Sequence, residues 1–265
     1  MKICEKCGVR HRGKYELCKK CRQIYDVCSK CNRVHNDRDI CRAEIWLDNN
    51  RRSDKFKKRR DLKENIFSGA LDESASYFIG ILQSDGCIRE LGSNRQKQII
   101  LKMNDFDIVE KFAEFIGWKD GVKLGTRKLG NDFAVIEFSS DKIANDLINI
   151  GVTIDKTFNE IFPKGIILKD YLRGLLDGDG SINRSNGRWN LLVTGESIKN
   201  EIECKLRELN LSFNTIPTYK NTIFQQYTIY GKGGKVGYLK FLDYIYSGNG
   251  PRGKRKESIY KSFKD

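Results

Sequence analysis

Two stretches of nearly the same shape constrain this chain more than any other feature. They read YFIGILQSDGCI at 77–88 and YLRGLLDGDGSI at 171–182. In both, apolar residues recur three and four positions apart, which predicts a helix. Each stretch closes with an aspartate followed by a glycine. A soluble chain that repeats this pattern needs one explanation for both copies.

Small residues within the two stretches predict that their helices pack on each other. Glycine inside a helix costs about 1 kcal/mol relative to alanine, so a contact has to compensate for it. Small residues four positions apart let two helix backbones approach closely. The predicted interface residues are Gly80, Ser84, Gly174 and Gly178.

Two aspartates, Asp85 and Asp179, stand at the carboxyl ends of these helices, before Gly86 and Gly180, the predicted left-handed terminators. A carboxylate is unfavourable there because the carboxyl end of the helix dipole is already negative. Side by side, the two acids predict a cation between or beside them. Mg²⁺, which binds carboxylate and phosphate oxygens, is the natural guest. Two metal-bound carboxylates at a phosphodiester suit hydrolysis, because they activate water and stabilise the leaving oxygen.

The charge balance predicts a polyanionic partner. The 265 residues carry a formal net charge of +14, which favours nucleic acid or an acidic membrane surface. Hydrophobic residues make up 39%, enough for a core. No apolar run approaches the roughly 20 residues that span a bilayer, and the amino terminus has no apolar signal-peptide core. We therefore expect an intracellular protein, in cytoplasm or nucleoid, with reduced thiols and no membrane or small-molecule partner.

Cysteines crowd the amino terminus: seven of nine lie in the first 41 residues. Residues 1–45 are predicted to form two tandem zinc-binding modules, since paired CxxC motifs suit tetrahedral zinc. Zinc would also supply folding energy to a segment with few apolar residues. A disulfide scaffold is the disfavoured alternative. In the second module either His35 or Glu44 replaces the missing thiolate, with His35 preferred. The ligand set is Cys4, Cys7, Cys18, Cys21, Cys28, Cys31, His35 and Cys41.

A basic connector is predicted over residues 46–69. Within it, RRSDKFKKRR at 51–60 holds seven Lys or Arg residues. A packed core cannot absorb such a run, so it is a solvated linker, a targeting signal or a tether that follows DNA phosphates. The tether is favoured by the neighbouring zinc-binding and basic segments. Its DNA-contacting residues are Arg51, Arg52, Lys57, Lys58, Arg59 and Arg60.

After each stretch the hydrophobic period changes from helical to alternating. This predicts an α+β fold of two αββαββα halves, over 70–162 and 163–265. Each sheet is expected to pack on helices with one face and to leave the other open. Arginine matches guanine edges, and asparagine or glutamine matches adenine. The residues predicted on the open faces are Arg89, Arg95, Lys97, Lys123, Arg127, Lys128, Arg184, Asn186, Arg188, Lys220, Gln225 and Gln226.

FIGILQSDG at 78–86 and LRGLLDGDG at 172–180 resemble the two motifs of LAGLIDADG homing endonucleases, and the resemblance covers roughly residues 70–262. It implies a pseudosymmetric monomer whose sheets form a β-saddle in the major groove of double-stranded DNA. Asp85 and Asp179, with Gly86 and Gly180, match the residues that bind catalytic Mg²⁺. Lys102 matches a basic residue near the scissile phosphate, and Val193 stands there in the second copy. Asp177, opposite Gln83 in the first motif, is interpreted as structural or auxiliary.

The resemblance implies a site-specific DNA endonuclease that makes a Mg²⁺-dependent double-strand break at a long asymmetric site. Two alternatives share the fold: a non-cleaving DNA-binding regulator and an intron RNA maturase. Regulators of this kind tend to lose the motif acids, whereas this chain keeps Asp85 and Asp179. An intein is disfavoured, because the chain starts at Met1 and ends in KSFKD without splice-junction residues.

Overall fold

The computed structural model divides the chain into two compact units, Met1–Arg60 and Asp61–Asp265. In the first unit, β1 (Lys2–Ile3) pairs antiparallel with β2 (Arg10–His11). Beyond these two short strands, the structure describes residues 62–91, 96–126, 132–154, 161–183, 187–220 and 225–264, the side chains of 219 and 220 excepted.

The second unit begins with a half built around one sheet. Its elements are α1 (Glu73–Ser84), β3 (Gly86–Leu91), β4 (Gln96–Met103), α2 (Phe106–Phe115), a 3₁₀ turn (Lys119–Gly121), β5 (Lys123–Thr126), β6 (Asp132–Ser139) and α3 (Asp141–Ile150). The strands form a four-stranded antiparallel sheet in the order β3-β4-β6-β5.

A second half repeats the same succession. Its elements are α4 (Leu168–Asp177), β7 (Ser181–Asn183), β8 (Arg188–Thr194), α5 (Glu196–Glu208), β9 (Phe213–Lys220), β10 (Gln225–Gly231) and α6 (Gly234–Ile245), followed by α7 (Lys254–Lys261). The sheet order is β7-β8-β10-β9, again antiparallel. The predicted α+β fold with two αββαββα halves is therefore confirmed. In the part of the chain that is described, no helix is long and apolar enough to cross a membrane.

Capping side chains fix where α1 and α3 begin. The Asp72 side chain accepts a hydrogen bond from the backbone N–H of Ala75 at 2.7 Å, which starts α1. The Ser140 hydroxyl accepts one from Ile143 at 3.2 Å, which starts α3. These side chains satisfy N–H groups that have no partner within the helix.

Alternation along the strands builds the core. In β4, Ile99 and Leu101 are fully buried, and in β8 Trp189 and Leu191 are fully buried. The Trp189 ring stacks on Phe241 of α6 with 3.8 Å between centroids. Each sheet thus covers one face with helices and leaves the other to solvent, as expected for antiparallel sheets.

The segment before α1 also packs on this unit, although the sequence predicts a connector up to residue 69. The backbone N–H of Lys63 donates to the carbonyl of Ile116 at 2.9 Å. Phe67 is 2% exposed, and its ring meets that of Phe115 edge-on at 5.7 Å. Residues from Leu62 onward are therefore ordered against the end of α2.

Helices α1 and α4 touch through their glycines. A Cβ atom added at Gly80 would lie 3.0 Å from the Cα of Gly174 and 2.9 Å from the backbone nitrogen of Leu175. A Cβ added at Gly174 would lie 3.0 Å from the Cα of Gly80. Any larger side chain at either position would push the two backbones apart. This contact joins the two halves.

The predicted left-handed terminators are wrong. Neither Gly86 nor Gly180 has a positive φ angle. Helix α1 is capped by Asp85 at φ −104°, and α4 by Gly178 at φ −73°. Glycine is needed at 86 and 180 for a different reason: an added Cβ would lie 2.6 Å from the Leu82 carbonyl oxygen and 2.7 Å from that of Leu176, respectively. The chain leaves each helix so sharply that Gly86 and Gly180 lie against the last turn of the helix before them.

Candidate active site

Asp85 and Asp179 lie at one end of the paired helices. A Cβ added at Gly178 would lie 2.8 Å from Oδ2 of Asp85 and 2.5 Å from the Cβ of Ser84. The carboxylate of Asp85 therefore rests on the backbone at Gly178, which caps α4 and precedes Asp179. Asp85 is half-buried and Asp179 is exposed. Two acids from different halves thus lie near the point where both helices end.

Two buried tyrosines cross-link the motif helices with pseudo-twofold symmetry. The hydroxyl of Tyr77 donates to Oδ2 of Asp177 at 2.8 Å. The hydroxyl of Tyr171 donates to Oε1 of Gln83 at 2.6 Å. Each tyrosine of one motif thus bonds the residue that stands two positions before the terminal aspartate of the other motif. These bonds fix the register of the two helices beneath the acids.

Asp177 and Gln83 also hold the segments that follow each half. Asp177 accepts a hydrogen bond from the backbone N–H of Gly253 at 2.7 Å. Nε2 of Gln83 donates to the carbonyl of Ile161 at 2.9 Å. Burial raises the pKa of Asp177 to about 6, opposed by the Gly253 hydrogen bond and by the Lys256 charge. Asp177 faces the protein interior, at 1% exposure, as expected of a structural residue.

Lys256 of α7 is a buried cation that the sequence reasoning missed. Its ammonium donates to the carbonyls of Leu176, Asp177 and Gly178, the last two at 2.8 and 3.1 Å. The residue is 3% exposed. Burial lowers its pKa to about 8, against the attraction of Asp177. A positive charge therefore stands at the negative end of α4, directly before Asp179.

Arg173 is a second buried cation on α4. Its guanidinium pairs with Asp170, and both side chains are fully buried. It also donates to the carbonyls of Pro251 at 2.7 Å and Ile245 at 2.5 Å. Desolvation raises the pKa of Asp170, opposed by Arg173. A charged residue inside the apolar motif was the signal in the sequence, because Ile79 occupies the matching place in the first motif.

The chain after α6, which is hydrogen-bonded to α4, also contacts the first half. Arg255 forms two hydrogen bonds to the carboxylate of Asp105, at 2.8 and 2.7 Å. The backbone N–H of Lys254 donates to Asp107 at 3.0 Å. The Arg255 guanidinium lowers the pKa of Asp105. We call residues 245–256 the tail clamp, because they bond to both halves around the acid site.

Lys102 projects from the open face of the first sheet. It is exposed, and its ammonium lies 3.8 Å from the centroid of the Phe133 ring. It pairs with Val135, which pairs with Lys123, so both lysines stand in one row across the sheet. In the first half Cys87 pairs with Ile100, and in the second Ser181 pairs with Asn190. This register aligns Lys102 with Leu192.

The prediction that Val193 corresponds to Lys102 is therefore wrong by one residue. Val193 is 4% exposed and lies on the helix side of the sheet, whereas Leu192 lies on the open face. The expected consequence is unchanged, because the second half has an aliphatic residue where the first has lysine.

Strand alternation separates the predicted DNA-contacting residues. Arg89, Lys123, Arg188 and Gln226 fall on the open faces. Lys97 and Gln225 do not, and their prediction is corrected. Lys97 shares the strand face of the buried Ile99, and Gln225 that of the buried Tyr227. The following lie outside the described residues: Arg95, Arg127, Lys128, Arg184, Asn186 and the side chain of Lys220.

A polar network on the open face of the first sheet was not foreseen. Nε of Arg89 donates to Gln98 at 2.7 Å, and Nε2 of Gln98 donates to Glu137 at 2.6 Å. In the second sheet the open face carries amides and hydroxyls beside Arg188: Asn190 donates to Ser181 at 3.0 Å, and Asn214 to Tyr230 at 3.0 Å. Among the described residues, the open face of the first sheet carries Arg89, Lys102 and Lys123, and that of the second carries Arg188.

The donor set at the paired helix ends fits Mg²⁺. This ion is commonly held by one or two carboxylates, while water and substrate phosphates complete the shell. Asp85 and Asp179 would supply two hard oxygen ligands, and Gly86 and Gly180 are predicted beside them. Within the ranges that the structure describes, no group of three or more His, Cys, Asp or Glu side chains is placed to hold a metal.

The zinc and tether predictions fall outside the described residues. These predictions concern Cys4, Cys7, Cys18, Cys21, Cys28, Cys31, His35 and Cys41, and the basic residues Arg51, Arg52, Lys57, Lys58, Arg59 and Arg60. They stay predictions.

Solved structures with a similar fold include two homing endonucleases and one LAGLIDADG domain. I-DmoI, a homing endonuclease, in complex with DNA and Ca aligns at 15% identity and a TM-score of 0.46, covering 70% of this chain and 96% of that one. In fold, the chain resembles LAGLIDADG homing endonucleases. The I-LtrWI LAGLIDADG homing endonuclease bound to target DNA aligns at 12% identity and a TM-score of 0.42, covering 71% and 89%.

The third is the N-terminal LAGLIDADG domain of DUF199/WhiA. It aligns at 16% identity and a TM-score of 0.45, covering 74% of this chain and 92% of that one. No protein-family model and no curated protein sequence matches the chain.

Proposed function

We propose that this protein is a site-specific, Mg²⁺-dependent DNA endonuclease with two pseudosymmetric halves in one chain. The observation that carries the proposal is the juxtaposition of two acids from different halves: the carboxylate of Asp85 rests on the backbone at Gly178, next to Asp179. Carboxylates are costly at the carboxyl ends of helices. Two of them on one edge of the molecule make chemical sense as ligands of a divalent cation.

Each residue of the proposed site has one role. Asp85 and Asp179 hold Mg²⁺, with the carbonyls of Gly86 and Gly180 beside them. When bound, the metal lowers the pKa of a water molecule and offsets charge on the phosphodiester oxygens. Lys102 faces the scissile phosphate and stabilises its developing negative charge. The buried Tyr77–Asp177 and Tyr171–Gln83 pairs keep the two acids in register.

Double-stranded DNA is the proposed partner, bound across both open faces by a monomer. The net charge of +14 supports a phosphate-binding role. The halves carry different open-face side chains, Lys102 and Lys123 in the first and Asn190 and Gln226 in the second. Two different surfaces read two different half-sites, so the preferred site is long and asymmetric.

The test is cleavage of a library of supercoiled plasmids with random inserts, using the full chain and Mg²⁺. We expect double-strand cutting at one asymmetric site. Asp85→Asn and Asp179→Asn should abolish cutting and keep binding in Ca²⁺. Glu110→Gln, which neutralises an exposed carboxylate on α2, is the matched control and should cut normally.

Two other outcomes would replace the proposal. Tight DNA binding without cutting in either Mg²⁺ or Mn²⁺ would make the protein a regulator. Preference for structured intron RNA over duplex DNA would make it a maturase.

The amino-terminal segment extends this function. Two zinc modules and the basic connector lengthen the DNA footprint and increase its salt sensitivity, in an intracellular protein. Metal analysis of the full chain should find two zinc ions. A single zinc ion would mean that the second module has lost its site.

A further inference from the structure

A cation already occupies the end of α4 before any metal arrives. The ammonium of Lys256 donates to the carbonyls of Leu176, Asp177 and Gly178 and is almost fully buried. It lies 3.1 Å from the carbonyl oxygen of Gly178. An added Cβ on the same glycine would lie 2.8 Å from Oδ2 of Asp85. Gly178 therefore stands between a buried positive charge and the acid site.

The ammonium acts on the same charges that a divalent ion would meet. It satisfies the carbonyls at the negative end of α4. The negative charge of Asp85 also acts on this ammonium and favours the charged form of Lys256. A positive charge on the other side of Gly178 opposes the entry of a second cation, because like charges repel. DNA phosphates would bring the missing negative charge.

We propose that Lys256 is the resident counter-ion of the acid site and a positioning residue for Asp179, and that it keeps the divalent ion from binding tightly until DNA phosphates are present. This inference rests on the proposed role of Asp85 and Asp179 as metal ligands. Metal loading and DNA binding are then coupled: the free protein binds the ion weakly, and the DNA complex binds it well.

The test uses Mn²⁺ alone, titrated into the full chain without DNA, with free Mn²⁺ followed by electron paramagnetic resonance. Lys256→Gln keeps an N–H donor for the carbonyls but removes the charge. We expect it to bind one Mn²⁺ about ten-fold more tightly than the unmodified chain, because a unit charge near the ion is gone. Adding Asp179→Asn should cancel the gain, which assigns the ion to the acid site.

Two lysine variants serve as controls. Lys261→Gln removes an exposed lysine from the same helix and should leave Mn²⁺ binding unchanged. Lys256→Arg keeps the charge and should bind Mn²⁺ as the unmodified chain does. Lys256→Met is a second neutral variant, and urea unfolding shows which variants are folded at the titration temperature.

Unchanged or weaker Mn²⁺ binding by a folded neutral variant would overturn the inference. So would a gain that persists in the Asp179→Asn background. If both neutral variants are unfolded while Lys256→Arg is folded, Lys256 is structural and the inference is rejected. Failure of the endonuclease proposal looks different, since the unmodified chain would then cut no plasmid whatever the Mn²⁺ titrations give.

Discussion

The hydroxyl of Tyr77 donates a hydrogen bond to the buried carboxylate of Asp177, 2.8 Å away in the opposite half. The reciprocal bond, from Tyr171, ends on the neutral amide of Gln83 at 2.6 Å. The two halves are therefore joined by the same tyrosine contact made to different partners. One partner is an acid whose pKa burial raises to about 6, so it is ionised at pH 8.

This difference predicts unequal costs for two matched variants. Tyr77→Phe removes a hydrogen bond to a buried charge and should lower the free energy of unfolding by about 2 kcal/mol at pH 8. Tyr171→Phe removes a bond to a neutral amide and should cost about 1 kcal/mol. Urea denaturation of both variants measures the difference. A larger loss for Tyr171→Phe would contradict the assignment of charge to Asp177.

The glycine contact predicts a reversal of the usual helix rule. Alanine in place of an exposed helical glycine normally stabilises by about 1 kcal/mol. At Gly80 and Gly174 the new methyl group would meet the backbone of the other helix. Gly80→Ala and Gly174→Ala should each destabilise by about 3 kcal/mol, as overpacking does. Thermal unfolding tests this through the direction in which the melting temperature moves. A higher melting temperature for either variant would show that the helices do not touch there.

The register of the two sheets supplies a matched pair for the proposed catalytic lysine. Lys102→Met should slow plasmid cleavage by about 100-fold, since it removes a charge that faces the phosphate. Leu192→Met, at the equivalent place in the second half, should cut at the normal rate. Cleavage rates at saturating protein separate this effect from binding. Equal rates for the two variants would exclude Lys102 from the chemistry.

Strand alternation gives a second pair, in DNA binding. Lys123 lies on the open face of the first sheet and Lys97 on the helix side. Lys123→Gln should reduce the slope of log affinity against log salt by about 1, because one phosphate contact is lost. Lys97→Gln should leave the slope unchanged. The measurement is DNA affinity in Ca²⁺ over a range of salt concentrations, and a reduced slope for Lys97→Gln would count against the register.

The tail clamp predicts an acid-sensitive contribution to stability. Arg255 lowers the pKa of Asp105 below its ordinary value of 3.8. A carboxyl with a depressed pKa contributes stability above the ordinary value and loses it as pH falls through the folded-state pKa. Arg255→Met should therefore cost about 1 kcal/mol at pH 7, the upper end for an exposed pair. The cost should shrink below pH 3.8.

Urea unfolding at pH 7, 5 and 3 measures this cost. Lys254→Met is the control, because Lys254 bonds Asp107 only through its backbone N–H among the contacts described for it. A cost for Arg255→Met that stays constant from pH 7 to pH 3 would rule out the Asp105 pair as its source.

Hydrophobic periodicity was sufficient to predict the fold. The change from helical to alternating pattern after each motif identified both halves, and small residues identified the helix contact. The face on which a strand residue lies was less predictable. A shift of one residue moves a side chain to the opposite face of the sheet, and this accounts for the wrong predictions at Lys97 and Gln225. Lys256 could not be predicted, because it meets Leu176 from 80 positions away and composition says nothing about such a pairing. Arg173 was visible as a charge within an apolar motif, but its partners were not.

The motif residues Gln83 and Asp177 also set a rule for exchanging halves between proteins of this architecture. Gln83 offers an N–H to the carbonyl of Ile161, and Asp177 offers an oxygen to the N–H of Gly253. An amide therefore suits a half that is followed by a peptide carbonyl at this place, and an acid suits a half that is followed by a peptide N–H. If a half were transplanted without the peptide that follows it, two donors or two acceptors would face each other in a buried site. The junctions of chimeras should therefore lie beyond these two segments.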